Sequence, residues 1–215
     1  HVAWRHWTSW GAAQSLQRHR CRCMADPDYQ IPVFSPDAQF NGHLWRLYLD
    51  GTVWEQAPGG VRMGWASRLT LGLDVTHRAY GCVQRDPLGV RYWGCIGVSS
   101  GVAELCALRG FIMSLLESDL WRIRSTALWP KEKLLIVTDS TTVVRVLVGT
   151  SLCSSEEALS AALHGTILPY FRERGISIGL MHVHSHTGVL HNESADRDTH
   201  RGVRLDPGQY HSIWA

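Results

Sequence analysis

From Leu44 onward, short apolar and aromatic runs alternate with Gly, Pro and Asp, and the runs at Leu44 to Leu49, Val61 to Thr70, Arg78 to Gln84 and Tyr92 to Val98 have the β-branched, aromatic character of strands. Three or four consecutive antiparallel strands are predicted there. The period then changes. Val102 to Glu117 places Leu105, Leu108, Ile112 and Leu115/Leu116 at helical spacing, and Lys133 to Thr138 is a short continuous apolar run suited to a sheet interior. Thr141 to Val148 predicts a short helix. Ser154 or Ser155 is placed to cap a longer one reaching Arg174, with Glu156 and Glu157 in its first turn and Gly175 at its end. Ile176 to His184 predicts a further strand and Asn192 to Arg201 a closing helix. The order implies an α/β fold: a five-stranded mixed sheet with three antiparallel N-terminal strands and helices on both faces.

The chain before that change reads differently. Residues 1–42 hold Trp4, Trp7 and Trp10, a basic run from Arg18 to Arg22, and a Pro/Asp-rich stretch from Asp26 to Asp37. This predicts an extension and linker, followed by a domain at 43–205 and a tail at 206–215. On a helix the three tryptophans form one stripe, suited first to packing on the domain or a partner and second to base stacking. His1 stands where a Met would open a complete chain, so a processed product or a piece of a longer chain is expected.

Composition narrows the class. The 215 residues suffice for one α/β core plus an extension, and 45% hydrophobic with 19% charged residues is a globular balance. No apolar run approaches the roughly 18 residues of a membrane span. The net charge of +2 neither supports nor excludes a polyanionic partner. Arg145, Arg172, Arg174, Arg197, Arg201 and Arg204 are candidate phosphate contacts, with solvated surface charge the plainer reading. The cysteines at 21, 23, 82, 95, 106 and 153 form no CxxC pair, and reduced thiols in an intracellular compartment are expected.

Four acids fall at special places in the predicted order: Asp50 ends the first strand, Glu104 opens the long helix, Asp139 follows the buried strand, and Asp196 lies on the closing helix. Acids at element ends are ordinarily caps or solvated, and position alone favours that reading. If they converge, the cluster repels itself, and hard divalent cations with oxygen ligands are the natural compensation, magnesium first. Two such ions roughly 4 Å apart can support phosphodiester hydrolysis. His182, His184 and His186 alternate and so share a strand face, but no Cys or carboxylate completes a zinc shell at matching spacing.

The local motifs decide between these readings. Arg46-Leu47-Tyr48-Leu49-Asp50-Gly51-Thr52 resembles the first metal-binding strand of the ribonuclease H family. Ala103-Glu104-Leu105-Cys106-Ala107-Leu108 resembles its glutamate helix, and Ile136-Val137-Thr138-Asp139-Ser140 its second aspartate strand. His184-Ser185-His186-Thr187-Gly188 followed by Asn192-Glu193-Ser194-Ala195-Asp196 resembles its His-x-Gly loop and Asn-Glu-x-x-Asp ending. The resemblance covers Leu44 to Arg201 and is nearest to domains attached to retrotransposon reverse transcriptases.

The resemblance implies a ribonuclease H-like fold and an endonuclease that cleaves the RNA strand of an RNA/DNA hybrid. It implies two Mg²⁺ ions, replaceable by Mn²⁺, on Asp50, Glu104, Asp139 and Asp196. His186 would assist proton transfer or product release, and Asn192 would orient its loop. Ser140 would lie near the substrate backbone, and Ser100 stands where many relatives carry a hybrid-contacting asparagine. The family reads hybrids by groove shape, 2′-hydroxyls and phosphates. The expected partners are an RNA/DNA hybrid and a protein or ribonucleoprotein bound through the extension, with no membrane, in the nucleus or mitochondrion. The competing expectation is a catalytically silent domain of this fold serving as a structural or RNA-binding component of a ribonucleoprotein.

Overall fold

A computed structural model describes residues 31–35, 45–95, 97–117, 133–148, 171 and 175–214. The Trp4/Trp7/Trp10 stripe, the basic run, most of the helix expected from Ser154 to Arg174, and Arg172 and Arg174 lie outside the described residues.

The described elements are β1 (Val33–Phe34), β2 (Trp45–Trp54), β3 (Arg62–Leu71), β4 (Asp74–Cys82), α1 (Ser100–Glu117), β5 (Lys133–Thr138), α2 (Thr141–Leu147), β6 (Ser177–His182), α3 (Leu190–Gly202) and β7 (Tyr210–Trp214). They form one mixed sheet in the order β1-β6-β5-β2-β3-β4-β7. β2, β3 and β4 are an antiparallel meander, while β5 and β6 run parallel to β2. This is the α/β arrangement expected from the sequence, a mixed sheet opened by an antiparallel meander, with two corrections of detail.

First, the sheet has seven strands rather than five. Val33–Phe34 pairs parallel with β6, and Tyr210–Trp214 pairs antiparallel with β4. Second, the described residues of Tyr92 to Val98 form no strand. Tyr92 makes one isolated bridge to Gln84, and Arg91 and Gly94 both have positive φ, which breaks an extended path. Its apolar side chains anchor the segment instead, with Trp93 and Cys95 buried in the core.

Helices cover both faces, as neighbouring residues of β3 show. A Cβ on Gly64 would meet the Thr199 carbonyl oxygen and the Val203 nitrogen at the end of α3, whereas Trp65 lies against Gly110 of α1. Consecutive strand residues point to opposite faces, so α1 and α3 sandwich the sheet. Under α1 the core holds Leu47, Leu49, Trp65, Leu105, Leu108 and Phe111. A smaller cluster of Tyr48, Leu135, Val137, Met181 and Val183 occupies the other face.

β7 is held by a buried polar contact. His77 on β4 has no solvent exposure, its Nε2 lies 3.0 Å from Ser212 Oγ and 3.1 Å from Ser114 Oγ, and its ring lies tilted against Trp214 with centroids 4.2 Å apart. Burial pushes its pKa down to about 3 from 6.5. The neutral ring is therefore favoured in the folded chain. The stability it contributes is present above pH 6.5 and is withdrawn as pH falls from there toward 3. Melting temperatures between pH 7 and 4 are expected to fall in the wild type and to fall less steeply in His77→Gln.

Candidate metal centre

The site forms where β5 stops. β2 and β5 pair in parallel as far as Tyr48 and Val137, and β5 ends at Thr138 while β2 continues to Trp54. Asp50 and Asp139 thus lie beyond the last paired residues of two adjacent strands. Gly51 brings in the third acid: a Cβ there would stand 2.5 Å from the Glu104 nitrogen and 2.6 Å from the Ala103 Cβ. Glycine at 51 is what lets α1 approach β2 this closely. Glu104 sits one turn into α1, behind a cap in which Ser99 Oγ accepts from Val102 N at 3.2 Å and Ser99 O accepts from Ala103 N at 3.2 Å.

One ligand oxygen from each of Asp50, Glu104 and Asp139 falls within 4.8 Å of the others. Asp50 and Glu104 are buried, Asp139 half-buried. Asp196 is outside that group. It stands on α3 at the rim, with a side chain 35% exposed and Oδ1 3.8 Å from His200 Nε2. All four acids line one open cavity of about 420 Å³, together with Ser100, Ser140, His186 and Asn192.

The electrostatics are those of an uncompensated cluster. Burial pushes the Asp50 carboxyl up to about 8, the Asp139 and Asp196 charges add to this, and the Gly51 N–H, donating to Oδ1 at 2.7 Å, opposes it. Burial pushes Glu104 up to about 9, the Thr138 hydroxyl, donating to Oε2 at 2.6 Å, pulls it back, and the Asp139 and Asp50 charges raise it. Among the described residues no Lys or Arg forms an ion pair with Asp50, Glu104 or Asp139. Three converging carboxylates without a cationic side chain are a donor set that suits a hard divalent cation with oxygen ligands.

The surrounding residues differ in what they do. Ser140 caps α2, its Oγ accepting from Val143 N at 3.4 Å. Asn192 is buried, and its Nδ2 donates to Asp139 Oδ2 at 3.4 Å, so its amide reaches the acid rather than the histidine loop. The loop is tied instead by Glu193, whose Oε1 accepts from Gly188 N at 3.0 Å. His186 is exposed on that loop with φ 56°, in the left-handed region that residues other than glycine adopt uncommonly and histidine more readily than most. His182 donates from Nε2 to the Asp139 carbonyl oxygen at 3.1 Å and lies edge-on to His184. Among the described residues the metal-capable group is the carboxylate one, and His182, His184 and His186 form none.

Two contributors were not singled out from sequence. Thr138 bonds Glu104 and also accepts from Ser140 N at 3.1 Å, tying the helix acid to the end of β5. Ser99 caps the helix that carries Glu104. Thr138 immediately precedes Asp139 in a strand-end motif, which was a signal for it; Ser99 had only its place before a helix start.

No family model matches this chain, and no curated protein matches it. Solved structures do. The chain is similar to LC11-RNase H1 in complex with an RNA/DNA hybrid, at 18% identity and a TM-score of 0.48 over 74% of this chain and 96% of that one. It is similar to a foamy viral protease-reverse transcriptase in complex with dsDNA, at 15% identity and a TM-score of 0.48 over 78% and 98%. It is also similar to the RNase H1 of the halophilic archaeon Halobacterium salinarum, at 17% identity and a TM-score of 0.45 over 74% and 96%.

Proposed function

We propose that this chain is a metal-dependent endonuclease that hydrolyses the RNA strand of RNA/DNA hybrids. The observation that carries the reading is the convergence of Asp50, Glu104 and Asp139, three acids spread over 90 positions, on one open cavity, with no cationic partner among the described residues and Asp196 at its rim. A silent scaffold has no physical reason to hold two buried carboxyls against their own desolvation and mutual repulsion.

Asp50, Glu104 and Asp139 would hold a Mg²⁺ or Mn²⁺ ion, and Asp196 at the cavity rim would add a fourth carboxylate for a second. Bound there, the ions supply an activated water and charge stabilisation for the leaving oxygen. The protein's own residues set up the rest. Thr138 fixes the Glu104 carboxylate, Asn192 the Asp139 carboxylate, and the Gly51 N–H the Asp50 carboxylate. Ser100 and Ser140 place hydroxyls on the cavity wall where phosphates or 2′-hydroxyls of a hybrid would lie. His186, exposed on a loop at the cavity edge, is placed to move a proton or help product leave.

The test is cleavage of a labelled hybrid by the folded chain with Mg²⁺ or Mn²⁺ against an Asp139→Asn control. Endonucleolytic products from the RNA strand alone are expected, and no activity above the control overturns the proposal. In the same assay His186→Ala is expected to slow turnover far less than Asp139→Asn, because it removes a proton carrier and leaves the carboxylate set whole. Equal losses would contradict the role given to His186.

A further inference from the structure

In the core against α1, and two positions past Glu104 on that helix, lies a pair of thiols that the proposed reaction does not use. Cys95, in the segment before the helix, and Cys106, within it, bring their sulfurs to 3.1 Å of each other. That is about 1 Å longer than an S–S bond of roughly 2.05 Å. Neither is in a disulfide and both are almost completely buried, so the contact is set by the packing of the core and not by chance approach at the surface. Cys95 is anchored beside Trp93, and Cys106 lies among Leu105, Ala107 and Leu108, all of them core residues.

A second observation points the same way. Arg109, one turn after Cys106 on α1, lies with its guanidinium 5.8 Å from the Trp93 ring centre, and its buried Nε has no hydrogen-bond partner among the described residues. Burial pushes the Arg109 guanidinium below its ordinary value, and Cys106 and Cys95 both pull it back. Among the described residues no carboxylate forms an ion pair with Arg109, which leaves its charge to the two sulfurs and the Trp93 ring beside it.

We infer that Cys95 and Cys106 are a redox pair, converted to an intrachain disulfide by a small peroxide. One thiol takes oxygen from hydrogen peroxide, giving a sulfenic acid and releasing water. The second thiol then attacks that sulfur, forming the S–S bond and releasing a second water. The two electrons lost by the sulfurs reduce one peroxide. The linkage would tether the segment holding Ser99, the α1 cap, to the helix that carries Glu104, and so tie down the helix start. This inference does not depend on the nuclease reading.

The experiment uses the full chain with Cys21, Cys23 and Cys153 changed to Ser, leaving Cys82, Cys95 and Cys106. Metal-free protein is treated with hydrogen peroxide, unfolded, alkylated and mapped by mass spectrometry. The expected result is the loss of two alkylatable thiols, a linked peptide pair containing Cys95 and Cys106, and a melting temperature raised by several degrees and restored by dithiothreitol. Adding Cys95→Ser or Cys106→Ser is expected to remove the linkage and the shift. Linkage through Cys82 or between two chains, oxidation of single thiols without a link, or three thiols still alkylatable while the methionines of the same sample are oxidised would each overturn it.

Discussion

Asp50→Asn is expected to lower hybrid cleavage by roughly 10³-fold or more, the several kcal/mol that metal-assisted catalysis supplies, and at the same time to make the metal-free protein more stable at alkaline pH. The two effects have one cause. In the folded chain burial and the neighbouring Asp139 charge push the Asp50 carboxyl up to about 8, against an ordinary value of 3.8. An acid whose folded value is raised contributes stability that is complete below about pH 4 and is withdrawn as pH rises through 8. Glu104, pushed up to about 9, acts in the same direction. In chelator, the wild-type melting temperature is expected to fall between pH 6 and 9, and that of Asp50→Asn to fall less. Mg²⁺ is expected to raise the wild-type value more at pH 8 than at pH 6, since it binds the ionised set, and to act far less on the variant. A variant less stable than wild type at pH 8 in chelator, with activity retained, would remove Asp50 from the metal centre.

How far the sequence displays this site depends on the kind of contact. β5 is legible to the residue, because Lys133–Thr138 is a short apolar run of the kind a sheet interior takes. α1 is legible within two residues, since its apolar period is long. β7 is not legible. Tyr210–Trp214 is mostly exposed, and what makes it a strand is its register with β4 and the seating of Trp214 and Ser212 on His77, more than 130 positions away. Tyr92 to Val98 misleads for the opposite reason. Its aromatic and β-branched residues fit a strand, yet Trp93 and Cys95 are used as core anchors on a path bent by Arg91 and Gly94. Among the site residues, the acids announce themselves because each sits in its own short motif. What their supports do is visible only in space: a threonine 34 positions from the glutamate it steadies, a glycine whose missing Cβ admits that glutamate's helix, and an asparagine whose amide turns to Asp139.

The same holds for what fixes α3, where the second large effect is expected. Arg68 on β3 donates to Asp198 Oδ2 from Nε at 3.1 Å and from Nη2 at 2.8 Å, and Arg201 donates from Nη1 to Oδ1 at 2.9 Å. The Asp198 side chain is 1% exposed, Arg68 14% and Arg201 59%. Arg68→Met therefore strands a buried carboxylate whose remaining partner is in solvent, and is expected to cost about 3–5 kcal/mol in urea unfolding. Arg201→Ala removes an exposed arm of the same network and is expected to cost about 1 kcal/mol or less. Pairing Arg68→Met with Asp198→Leu is expected to recover much of the loss, because no buried charge is then left alone. If Arg68→Met cost no more than Arg201→Ala, the Arg68 arm would carry none of the anchoring assigned to it. The pair matters to the centre because α3 carries Asn192, Asp196 and Asp198 together. Arg68 holds that helix against the strand adjoining β2, and with it the amide that reaches Asp139 and the fourth acid at the cavity rim.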